Sequence, residues 1–177
     1  MPDEAATVYA AVAAAHPDTE VGAIARLGEG RALAALGRID AARVAFGEVT
    51  VNVADPELGR DAAVDLLRLD LQADGAAAVM DAVTGHPERY GRGLLEFWEE
   101  TAATLKTVQP EAYVRNRAMY PDLFPDDPRG GAEALLDAAD FLRMAGRAAE
   151  AEALEARVRE TWGTDPGIME RLLHGAK

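Results

Sequence analysis

At 177 residues, 49% of them apolar, the chain is long and hydrophobic enough to bury a continuous core, which excludes a disordered tail. Only 6% of its residues are aromatic and Ala is abundant, so the composition points to closely packed helices and excludes a β-sandwich or barrel. Its 31 acidic against 18 basic residues, a net charge of -13, repel phosphate backbones and anionic headgroups and so exclude nucleic acid and membrane surfaces as partners; with no Cys, disulfides and thiolate chemistry are excluded too.

Residues 1–16 predict a leading helix over Ala5 to Ala15, with Val8, Tyr9 and Val12 as its inner face. His16-Pro17-Asp18-Thr19 ends it and caps the next helix. Residues 17–56 then read as a hairpin turning at Leu36-Gly37-Arg38. Apolar or small residues recur at helical spacing before the turn (Leu27, Gly30, Leu33, Ala34) and after it (Ala42, Phe46, Val49, Val53). Gly37 suits the left-handed end of the first helix, and Asp40 sits in the first turn of the second, where negative charge is favoured.

Residues 57–87 form a degenerate second unit. A helix from Leu58 to Leu71, with Ala63, Leu66, Leu67 and Leu71 inward, turns at Ala73-Asp74-Gly75 into a short helix over Ala76 to Val83. Met80 and Thr84 stand where the first unit has Ala42 and Phe46. Residues 88–119 predict the longest helix, Glu88 to Val108, with Tyr90, Leu94, Trp98, Leu105 and Val108 on one face, and a shorter helix from Pro110 through Met119. Trp98 on such a stripe is a core residue.

Tyr120 to Gly131, with three Pro and two Gly, reads as an irregular connector between repeats, or else as a loop whose Tyr120, Leu123 and Phe124 dock on a partner. Residues 132–166 give the second clear hairpin through Leu135, Ala138, Leu142, Gly146, Ala151, Leu154, Val158 and Trp162. Glu155 there takes the position of Phe46, so Leu154 is expected to supply the packing. Gly167 to Leu173, within 167–177, predicts a C-terminal capping helix.

No catalytic or metal constellation is expected. His16, His86 and His174 sit at separate helix ends, none paired with a second ligand at one-turn spacing. Glu99 and Glu100 do not converge, since neighbours on a helix diverge by about 100°, and both this pair and Asp126-Asp127 read as solvent-facing. Gly28-Glu29-Gly30 and Gly91-Arg92-Gly93 follow no strand and read as close-packing sites within helical patterns. Ser is absent, which with the missing Cys removes the commonest nucleophiles. No cofactor is implied.

Gly30, Gly37, Ala42 and Phe46, in that order, resemble the tetratricopeptide repeat: a small residue in the first helix, Gly at the turn, a small residue early in the second helix and a large apolar one a turn later. Ala139, Gly146 and Ala151 resemble it again, whereas Arg26 stands where the family carries Trp. Stretches such as His16-Pro17-Asp18 and Tyr120-Pro121-Asp122 ahead of hairpins also resemble the longer repeats of bacterial envelope-assembly proteins. The resemblance implies an all-α, single-domain, right-handed solenoid of stacked hairpins that binds a protein or peptide on its concave face. Leu27, Arg31, Leu136, Asp140 and Arg143 are then the candidate contact residues. The acidic, Ala-rich face favours a basic or apolar segment.

A rival reading is self-assembly into a homo-oligomer, or stacking on the rest of a longer array, without a peptide groove. Another is a small-ligand sensor or enzyme with its pocket between the Glu88 helix and the Pro121 loop. The acidic N-terminus predicts a cytoplasmic location, or a periplasmic one if the chain is an excised domain of an exported protein.

Overall fold

The computed structural model describes residues 2–52, 55–91 and 93–175. It is all-α. The described residues form ten helices and no strand: α1 (Pro2–Ala15), α2 (Glu20–Ala35), α3 (Ile39–Asn52), α4 (Pro56–Ala73), α5 (Ala76–Gly85), α6 (Gly93–Val108), α7 (Pro110–Leu123), α8 (Pro128–Met144), α9 (Ala148–Trp162) and α10 (Pro166–Gly175). None is long and apolar enough to cross a membrane. The chain divides into two compact units, Met1–Phe97 and Trp98–Lys177, with the division inside α6.

In the first unit the expected hairpin is present. Thr19 caps α2 by accepting a hydrogen bond from the Gly22 amide at 3.1 Å. At the other end, Gly37 adopts φ 70°, and the Gly37 and Arg38 amides bond to the Ala34 and Leu33 carbonyls at 2.9 and 3.0 Å. This is a Schellman closure, which satisfies carbonyls that a helix end leaves open. Gly30 then lets α3 come close: a Cβ there would lie 2.5 Å from the Phe46 ring. Phe46 is buried with Leu33, Ala42 and Val49 in one core cluster. Val53, expected on the same stripe, lies outside the described residues.

Three expectations in this unit are corrected. The buried face of α1 is Ala6 and Ala13, whereas Val8 and Tyr9 are 60% and 40% exposed and Val12 is half-buried. α1 and α2 approach closely where α2 carries Gly: the Tyr9 ring lies over Gly28, and Gly22 is pressed against the His16 carbonyl. In α4, Leu69 is buried and Leu66 and Leu71 only partly, because α4 packs against α3, α5 and α2 and so buries more than one stripe. Finally, no helix starts at Glu88. A short 3-10 turn over Pro87–Arg89 is followed by Gly91 at φ 55°, and α6 begins at Gly93. Gly91 and Gly93 do mark close approaches, to Arg60 and Val64.

The second unit repeats the hairpin. The Gly146 and Arg147 amides close the end of α8 on Arg143 and Leu142 at 2.9 and 2.8 Å, with Gly146 at φ 76°. Trp98 is fully buried, as expected: its indole donates to the Asn116 carbonyl at 3.0 Å, tying α6 to α7. Val108 is instead 67% exposed, since the buried stripe of α6 ends at Leu105, one turn before the helix does. The connector shrinks to residues 124–127, because α7 continues through Pro121. Pro121 has no amide to bond the Arg117 carbonyl, and α7 ends two residues later. Tyr120 is therefore buried rather than on a loop, and its hydroxyl donates to Asp127 at 2.8 Å. Asp127 also caps α8 by accepting from the Gly130 amide at 2.9 Å. Glu155 is itself buried, ion-paired with Arg143, and Leu154 is only partly buried beside it.

Candidate functional site

The second unit holds a cleft of about 470 Å³ between α8 and α10. Both walls begin at a capped helix start: Asp127 opens α8, and Asp165 accepts from the Gly167 and Ile168 amides at 2.9 and 3.2 Å to open α10. That capping uses the free amides and the positive end of the α10 dipole. Leu136 and Ile168, both in the apolar cluster beneath, form the floor.

Charges ring the mouth in pairs. Arg129 donates to Glu133 at 3.1 Å along α8, and Arg171 of α10 is ion-paired with Asp137 of α8. Asp137 also faces Arg117, 3.7 Å away, and the buried Arg117 donates twice to Glu99 at 2.8 and 2.9 Å. A chain of charge thus runs from α6 through α7 and α8 to α10. Beneath it, burial and then the Asp127 hydrogen bond push the Tyr120 hydroxyl well above its usual range, because a buried phenolate would face a carboxylate. Glu99 and Asp127, expected to face solvent, are both engaged in these contacts.

The five sequence candidates fall apart. Leu27 is 4% exposed and belongs to the core of the first unit, so it is not open to a ligand. Arg31 is exposed and its Nε donates to Asp65 of α4 at 2.5 Å. Leu136 lines the cleft. Asp140 and Arg143 lie further along α8, where Arg143 is shared between Asp140, at 3.9 Å, and Glu155. Glu133, Ile168 and Arg171 were not anticipated. One signal was available: Arg171 and Asp137 are 34 residues apart, as are Arg31 and Asp65; the second pair joins the first helices of two successive hairpins, and the first joins α8 to the terminal helix α10.

The arrangement offers an apolar floor to a side chain and charged partners to its flanks. Among the described residues no three His, Asp or Glu side chains gather in a form that could hold a metal ion. Compared with protein-family models, curated proteins and solved structures, the chain matches none.

Proposed function

We propose that the chain is a non-catalytic protein-interaction module of the tetratricopeptide type, an adaptor or scaffold that holds a segment of another protein. The observation that carries this reading is the α8–α10 cleft, an apolar-floored groove between the first helix of a hairpin and the terminal helix, joined by an ion pair that spans 34 residues. Hairpins closed alike at Gly37 and Gly146 support it. Selection of a random peptide library on the purified chain tests it: the expected result is a family of sequences that binds saturably, one per chain, by calorimetry. A library that yields no saturable binder would overturn it.

A second reading, self-assembly, is favoured by the exposed Val8 and Tyr9 on α1 and Val21 and Ile24 on α2. Light scattering across concentration separates the two. A constant monomer mass removes self-assembly, and a rising mass makes the α1–α2 face the first target for substitution.

A further inference from the structure

Aligned on the turns at Gly37 and Gly146, the two hairpins carry opposite chemistry on one face of their first helices. In α2 the positions are Ile24, Gly28 and Arg31; in α8 they are Glu133, Asp137 and Asp140. The fold therefore does not demand acid there. We propose that the α8–α10 cleft binds a partner segment with an apolar side chain, which enters over Leu136 and Ile168, flanked by Lys or Arg; this rests on the interaction-module reading and names the partner's chemistry.

Three observations select that occupant. The cleft volume of about 470 Å³ falls in the range of pockets that enclose a ligand, and its floor is apolar. The lining contributes Glu133, Asp165 and Glu170 against Arg129 and Arg171, a net charge of minus one, and Asp137 adds a further carboxylate beside Arg171. The amides at the start of α10 are held by Asp165, which leaves an acidic segment no helix end to bind. A second copy of this chain, at net charge -13, is repelled by the same surface.

The test uses the full chain and a peptide library with a fixed central Leu or Phe and flanks drawn from Lys, Glu and Ala. Lys should be enriched over Glu, each flanking Lys strengthening binding about two- to fivefold, as exposed ion pairs do, and losing that gain in high salt. Gly167→Trp, whose Cβ would lie 3.4 Å from the Asp165 carboxylate and meet no other atom within 4 Å, should abolish binding while leaving the circular dichroism unchanged. Glu133→Lys should reverse the preference toward Glu-flanked peptides. Enrichment of Glu, flanks without preference, or binding that survives Gly167→Trp would each overturn the proposal while leaving an interaction module. Absence of any bound peptide would instead overturn the interaction reading itself.

Discussion

The hairpins α2/α3 and α8/α9 share a turn and differ in what fills the space behind it. Both end the first helix with Gly in the left-handed region and the same pair of amide-to-carbonyl bonds. In the first, Gly30 is bare and the Phe46 ring fills the gap. In the second, Ala139 narrows the gap and Glu155 enters it, held by Arg143 and, at 3.5 Å, by Arg159. One backbone motif thus accommodates either an aromatic core or a buried carboxylate with two guanidinium partners. The turn is a local property of the chain, and the filling is a tertiary one.

The sharpest way to break the comparison is Phe46→Ala. Truncating a ring that is 1% exposed should cost about 3–5 kcal/mol, the transfer of the ring plus the cavity it leaves. Urea unfolding followed by circular dichroism would read it, together with loss of amide protection in α2 and α3. Both tryptophans, Trp98 and Trp162, lie in the second unit, so indole fluorescence follows that unit separately. A loss below 1 kcal/mol would show that the first hairpin does not depend on its aromatic filling.

Glu155→Ala is the matching change in the second hairpin, with an expected cost of about 1–2 kcal/mol. Removing one partner of a fully buried pair costs more, but the Arg143 side chain is 28% exposed and can turn to water. Glu155→Leu should recover most of that loss, since it restores volume without charge. If Leu destabilises as much as Ala, the ion pair rather than the packing holds this hairpin.

These contrasts mark what could be read from the chain alone. The turns at Gly37 and Gly146 were legible, because a Gly that ends an apolar stripe acts within a few residues. The burial of Ala6 and Ala13 in place of Val8 and Tyr9 was not, because it depends on how closely α1 approaches α2. Pro121 suggested a loop, yet α7 runs two residues past it with one intrahelical bond missing, which the Pro alone does not foretell. Leu27 was misplaced for another reason: its periodicity already set it on a buried stripe, and only the groove positions implied by the repeat resemblance made it a contact residue. Of the cleft, only Leu136 was anticipated. Ile168 and Arg171 belong to a helix whose sequence suggested nothing beyond a cap.

The turns themselves should respond equally, and this is the next effect in size. Gly37→Ala and Gly146→Ala each place a Cβ in the left-handed region with no other atom within 4 Å, so the cost is purely conformational, about 1 kcal/mol in either hairpin. Equal losses by urea unfolding would confirm that the two closures are energetically the same motif. A difference well beyond 1 kcal/mol would mean that the aromatic or ionic filling reaches back to the turn.

The smallest expected effect concerns two ion pairs that each span 34 residues, Arg31 with Asp65 and Asp137 with Arg171. Arg31 is exposed, and water screens its attraction to Asp65, so a double-mutant cycle of Arg31→Met and Asp65→Asn should give a coupling below about 1 kcal/mol. The second pair differs in one respect: Asp137 also faces the buried Arg117, whose charge is shared with Glu99. Its cycle, Asp137→Asn with Arg171→Met, should therefore retain more of its coupling in 0.5 M salt than the first, since charges near the interior are screened less. Couplings that are equal at both salt concentrations would show that Arg117 contributes nothing to the pair. The charge chain across α6, α7, α8 and α10 would then be a set of independent surface contacts, and a ligand that displaced Arg171 from Asp137 would disturb nothing beyond the mouth of the cleft.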